Sequence, residues 1–290
     1  MNIYANSQCL LCHLKKNVEL ARSLGSEEQA TRFAKALMQV YLSAPENVSS
    51  PWFVPEANRL LREFYGMDPD RFREEMDFSN AFVMARLDQI RSKIRSAPDP
   101  VFAGLQFSIL GNYIDFSALN GEVSFEKLEE MLDSALEMEL DQDCYRSLCA
   151  DLENGKKLLY LTDNAGEIGF DRLFAEEIQR RYPQLAITFC VRGGPANNDA
   201  TRQDAQAVGI PFRVIDSGSC IPGTQMDALG EEAKEAFQDA DVILAKGQGN
   251  AETLLGCGYN VYYAFLVKCR LFMDRFQKPK LTPMLVKEQS

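Results

Sequence analysis

Three stretches of this 290-residue chain gather side chains able to do chemistry: Asp163-Asn164-Ala165-Gly166-Glu167, Asn197-Asn198-Asp199, and Lys246-Gly247-Gln248-Gly249-Asn250. Asp163, Asn164, Asp199 and Glu167 offer only oxygen donors, which suit hard divalent cations better than zinc or copper. So few protein ligands leave positions for water and a substrate phosphate. Lys246 stands beside two glycines, and a turn built from Gly247, Gly249 and Asn250 lets backbone N–H groups approach phosphate oxygens while the ammonium supplies charge. Arg192 is a second cation near these stretches, although an exposed ion pair explains it nearly as well. Each group also has a plainer use. Asp-Asn and Asn-Asp-Ala-Thr are common helix caps, and Glu167 in a first turn would face the positive end of a helix dipole. It is the conjunction of the three stretches that points to a metal and a phosphate.

The elements that must position them are strands. After Asn154-Gly155, short apolar runs at Leu158–Leu161, Ala186–Val191, Phe212–Ile215, Val242–Ala245 and Val261–Val267 alternate with helical stretches. That alternation predicts β-α-β units and a buried, mainly parallel sheet in a three-layer Rossmann-like α/β core. Ligands of such sheets bind beyond the carboxyl ends of the strands, and the three stretches directly follow the first, second and fourth runs. Residues 1–154 read as a helical domain and 155–290 as the α/β domain. Ser26 with Gln29 forms a capping box ahead of Ala30, Phe33, Leu37 and Tyr41. Asp68-Pro69 opens a long helix carrying Phe72, Met76, Val83, Ile90 and Ile94 and ending before Pro98, and Ser124 caps a helix running to Leu136.

The charge of −11 disfavours nucleic acid and anionic membranes as partners. No apolar run approaches the length of a membrane span, and Met1 to Lys16 lack the layout of a signal peptide, so the expected location is the cytoplasm. The eight cysteines are too sparse for a disulfide scaffold and are expected to be reduced. Cys9-Leu10-Leu11-Cys12-His13 matches a haem-attachment pattern formally, but without export that match is accidental, and a structural zinc lacks a second ligand pair. A redox or accessory metal role competes with two ordinary thiols one helical turn apart.

Taken in order, Asp163-Asn164-Ala-Gly-Glu167, Asn198-Asp-Ala-Thr201 with Asp204, Lys246-Gly-Gln-Gly-Asn250 with Glu252 and Thr253, and Gly111-Asn112-Tyr-Ile-Asp115-Phe116 resemble the DUF89 family of damage-control phosphatases, or ARMT1-like metal-binding proteins. The Cys9-x-x-Cys12 start resembles its stand-alone prokaryotic branch. The resemblance implies metal-dependent hydrolysis of small phosphorylated metabolites such as sugar phosphates, with Mn²⁺, Mg²⁺, Co²⁺ or Ni²⁺ held by Asp163, Asn164 and Asp199. It implies that Lys246 and the following glycine element hold the phosphate, and that Asn112 and Asp115 reach the same cleft. Mechanistically, a metal polarising a phosphoryl oxygen and a cation offsetting its charge fit in-line attack by water. A covalent phosphoaspartate and a carboxylate acting as base on water are both compatible with these residues. The alternatives are an S-adenosylmethionine-dependent carboxyl methyltransferase, whose glycine-rich loop is poorly matched by Asp163–Gly169, and a non-catalytic metal- or metabolite-binding protein.

Overall fold

The structure is a computed structural model that describes residues 3–115 and 124–288. The helices are α1 (Ser7–Leu24), α2 (Glu27–Ser43), α3 (Val54–Tyr65), α4 (Arg73–Met84), α5 (Leu87–Ser96), α6 (Pro100–Gly111), α7 (Phe125–Asp133) and α8 (Gln142–Asn154). Strands β1 (Lys157–Leu161), β2 (Ala186–Val191), β3 (Arg213–Asp216), β4 (Val242–Lys246), β5 (Val261–Leu266) and β6 (Pro283–Lys287) then alternate with α9 (Glu167–Arg181), α10 (Arg202–Ala207), α11 (Glu231–Asp239), α12 (Gly247–Leu254) and α13 (Arg270–Phe276). The sheet order is β3-β2-β1-β4-β5-β6, with five parallel strands and β6 antiparallel on β5. Consecutive β-α-β units run outward from β1 to β3, and the chain then restarts on the other side of β1 with β4. The crevice between the ends of β1 and β4 is therefore the place where such sheets bind ligands.

Strand alternation divides the core. Leu158, Tyr160, Val242, Leu244 and Tyr262 pack against α5, α6, α8 and α9, whereas Leu159, Leu161, Ile243, Ala245 and Tyr263 pack against α11, α12 and α13. The sequence division at residue 154 marks where strands begin, but the first of these cores runs through both parts, so α4–α9 form one layer on the sheet. Helix α6 is apolar all round, with ten of its twelve residues buried. It lies close on α9 because Gly104 and Gly111 carry no Cβ: one at Gly111 would meet Phe170 Cδ2 at 2.6 Å. The bundle α1–α3 has its own small core of Ala21, Phe33, Leu37 and Leu61.

The Ser26 capping box is present, and Ser124 accepts from Lys127 N as the cap of α7. Helix α7 ends at Asp133, with a short 3₁₀ turn over Ala135–Glu137. The single long helix expected after Asp68-Pro69 is instead two. Asp68 Oδ1 caps a turn at Asp70 N, α4 starts only at Arg73, and the chain turns at Ala85-Arg86 so that both Val83 and Ile90 reach the core. Pro283–Lys287 adds a strand that the sequence reading lacks. Phe116 of the family-like motif lies outside the described residues.

Candidate metal and phosphate site

The loops after β1 and β2 are laced together by their backbones. Ala200 N donates to Asp163 O at 2.7 Å, Ala165 N to Asn198 O at 2.9 Å, and Asn164 and Asp199 face each other as an isolated antiparallel bridge. Asp163, Asn164 and Asp199, all buried, are thereby brought to the head of the crevice. Around them the side chains interlock. The Asn164 amide donates to Asp163 Oδ2 and Glu167 Oε2, each at 2.8 Å. Asn112, at the end of α6, donates to the same two oxygens at 2.8 and 2.9 Å, while its own Oδ1 accepts from Leu266 N at the end of β5. Asn198 Nδ2 donates to Asn164 Oδ1 at 2.8 Å.

Arg192 is buried, so an exposed ion pair does not account for it. It donates from Nε to Asp199 Oδ2 at 2.7 Å and from Nη2 to Thr162 O and Asn250 Oδ1. Asp115 sits at the edge of the crevice, where Lys268 Nζ reaches its Oδ2 at 2.6 Å.

Lys246 and the glycines require correction. The stretch Gly247–Asn250 is not a loop: α12 begins directly at the end of β4. Lys246 shares the strand parity of Val242 and Leu244, so its side chain passes to the α6–α9 face. There Nζ donates to Glu167 Oε1 (2.8 Å), Asp171 Oδ1 (2.7 Å) and Ser108 O (2.9 Å), which uses all three of its protons within the protein. Burial pulls the ammonium's pKa down, but Asp171 and Glu167 outweigh it and hold it above its usual value. Gly247 has φ +78°, and a Cβ there would stand 1.9 Å from Asp163 Oδ2, so glycine is what allows the backbone to lie against that carboxylate. Gly249 packs on the Gly223 backbone. Asn250 is saturated, donating to Thr162 O and Lys246 O and accepting from Arg192 and Thr224.

Asp171, Lys268 and Asn80, none of them singled out by the sequence, also belong to the network. Asp171 lies one helical turn after Glu167 on the same face of α9. Lys268 follows the fifth strand. Asn80 of α4 accepts from Gly166 N at 2.7 Å and donates to Asp204, which also pairs with Arg73 and caps α10. Helix spacing would have found Asp171 and inspection after every strand would have found Lys268, whereas nothing local marks Asn80.

The donor set fits a divalent cation. Asp163, buried first and then repelled by Asp199 and Glu167, is held well above the usual carboxylate range, and burial pushes Asp199 up to about 6 against the pull of Arg192. Crowded acids of this kind are stabilised as anions by a cation among them. Asn198 Oδ1 is a buried acceptor without a hydrogen-bond partner. Among the described residues no three His, Cys, Asp or Glu side chains form a ready-made metal cluster. Cys9 and Cys12, on the first turns of α1, line a cavity of about 310 Å³ that also reaches Asn197, Gln248 and Lys268.

A doubly wound sheet with buried acids and amides at its switch point, roofed by a helical layer, defines an α/β protein whose buried oxygen donors suit a hard cation. Its relatives narrow the class: residues 5–281 match the damage-control phosphatase ARMT1-like domain, and the chain belongs to that family. It is 33% identical over 277 residues to an uncharacterised protein of Methanocaldococcus jannaschii, covering 91% of this chain and 88% of that one. It is 33% identical to a damage-control phosphatase of Pyrococcus horikoshii (76% of this chain, 75% of that one) and 32% identical to one of Archaeoglobus fulgidus (76% and 75%). The crystal structure of a DUF89 family protein from Pyrococcus horikoshii superposes with a TM-score of 0.83 at 26% identity, covering 99% of this chain and 100% of that one. No helix among the described residues is long and apolar enough to cross a membrane.

Proposed function

We propose that this chain is a phosphatase of small phosphorylated metabolites that depends on a divalent cation held by Asp163, Asn164 and Asp199. The observation that carries the reading is the lacing of the post-β1 and post-β2 loops, which brings these three oxygen-bearing side chains together at the switch point. A bound cation would supply Lewis-acid polarisation of a phosphoryl oxygen. The protein's own groups do the rest. The amides of Asn112 and Asn164 fix Asp163, and Arg192 fixes Asp199, so neither carboxylate has to reorganise as charge develops on the phosphoryl group. Glu167 is anchored by Lys246 and turned toward the two amides. Lys268, rather than Lys246, is the ammonium placed to offset phosphoryl charge, since it lines the open cavity while Lys246 is enclosed. Support for the phosphatase chemistry comes from the damage-control phosphatases among its relatives.

The test is phosphate release from a sugar-phosphate panel with Mg²⁺, Mn²⁺, Co²⁺ or Ni²⁺ added to chelator-treated protein. Turnover should appear only with metal, and Asp163→Ala should abolish both turnover and calorimetric metal binding. Full turnover after chelation would refute metal dependence.

A further inference from the structure

The cavity of about 310 Å³ beside the site has an unusual electrostatic lining for a chain of net charge −11. Lys16, Arg71, Lys268 and Arg270 border it, against the single acid Glu252. These cations fall into two groups. Lys268, which follows β5, is already committed to Asp115 at the metal end. Arg71 comes from the turn between α3 and α4, on the wall that the helical bundle contributes. Its Nη1 donates to Asn58 Oδ1 at 3.0 Å, and its Cζ lies 4.9 Å from the centre of the Phe72 ring.

Two contacts thus fix the plane of the Arg71 guanidinium, yet among the described residues no carboxylate stands within ion-pair distance of it. Burial depresses its pKa with no acid opposing the shift. Lys16 is depressed too, first by burial and also by Arg71, while Asp115 pulls the other way. Two cations near enough to repel each other across a cavity, one of them oriented and unneutralised, form an arrangement that an anion stabilises. Asn17 and Asn197 add to the same lining amides able to hydrogen-bond hydroxyl groups.

We propose that the preferred substrate carries a carboxylate at the end remote from its phosphate, and that Arg71, oriented by Asn58, receives it: a phosphorylated sugar acid rather than a neutral sugar phosphate. The inference rests on the phosphatase reading for the other end of the substrate. A guanidinium presents paired N–H donors that match a carboxylate edge, which a lysine cannot do.

The test uses two pairs of compounds that differ only in CH₂OH against COO⁻ at the remote end: glycerol 3-phosphate with 3-phosphoglycerate, and sorbitol 6-phosphate with 6-phosphogluconate. In at least one pair the wild-type kcat/KM should favour the acid about ten-fold or more, the range for a hydrogen bond to a charged group. Arg71→Gln should bring that ratio close to one, and Arg71→Lys should retain part of it. Absence of any acid preference in both pairs overturns the proposal. So does an Arg71→Gln variant that lowers acid and alcohol alike, which would place Arg71 on the phosphate. If no compound releases phosphate, the phosphatase reading fails, and calorimetric affinities of the same compounds for wild-type and Arg71→Gln protein then decide whether a carboxylate site exists.

Discussion

Replacing Lys246 with Met separates two roles that the sequence alone does not distinguish. A phosphate clamp would lose transition-state stabilisation on the order of 10²-fold and leave stability nearly unchanged. The structure gives a different expectation. Lys246 is wholly buried between Glu167 and Asp171, both also wholly buried, and burial pushes Asp171 up to about 6 even with the lysine beside it. Methionine fills similar space but leaves two acids facing each other without a cation. Breaking a buried pair in this way costs about 3–5 kcal/mol, which for a chain of this size lowers Tm by roughly 10 °C. Thermal unfolding followed by circular dichroism measures it. Adding Asp171→Asn to Lys246→Met should restore part of the loss, because one of the two stranded charges is then gone. A Lys246→Met protein that melts within about 2 °C of wild type while losing 10²-fold or more in turnover would refute this reasoning and return Lys246 to the phosphate.

Gly247→Ala places a methyl group where Asp163 Oδ2 now lies, at φ +78°. It should cost about 1–2 kcal/mol for the left-handed backbone alone and lower turnover on the order of 10²-fold by displacing the carboxylate, measured by melting and phosphate release. His13, the only histidine in the chain, is pushed down to about 4 by burial and by Lys16. Because its folded pKa lies below its unfolded one, the unfolded chain takes up the extra proton, so stability should decline as pH falls from about 6.5 toward 4, by at most about 3 kcal/mol. Its ring proton resonance should titrate near 4, and a midpoint above 6 would refute the burial argument. Cys9→Ser with Cys12→Ser should leave turnover largely intact, and a stoichiometric metal lost together with activity would show that the thiols serve the chemistry.

How much of this was legible in the sequence depended on the range of the interactions involved. Short apolar runs located five of the six strands, most clearly β1, β4 and β5, which are buried on both faces and so carry a local signature. Residues 283–287 escaped because that strand is amphiphilic and lies at the edge of the sheet, with only Leu285 fully buried. That Asp163, Asn164 and Asp199 follow strands was readable from the sequence. Lys246 was placed correctly along the chain, but its role was read from the glycines beside it rather than from its parity with Leu244, which sends the side chain inward. The break between α4 and α5 and the contact of Asn80 with Gly166 N arise from packing between segments far apart in sequence, and no local pattern encodes them.

Helix α6 raises a question of order in synthesis. It is apolar on every side, and the β-strands and α9 that cover it are all encoded after it. A chain emerging from the ribosome therefore exposes this helix before any strand exists to receive it, and transiently uncovered apolar surface invites misassociation. Ser108, Asn112 and the close glycine contacts with α9 lie on this same segment, so the geometry of the proposed site and the folding hazard share one stretch of sequence. Production of the helical half alone, cut before β1, should accordingly give insoluble or chaperone-bound material, while the intact chain shields α6 as soon as the sheet closes over it.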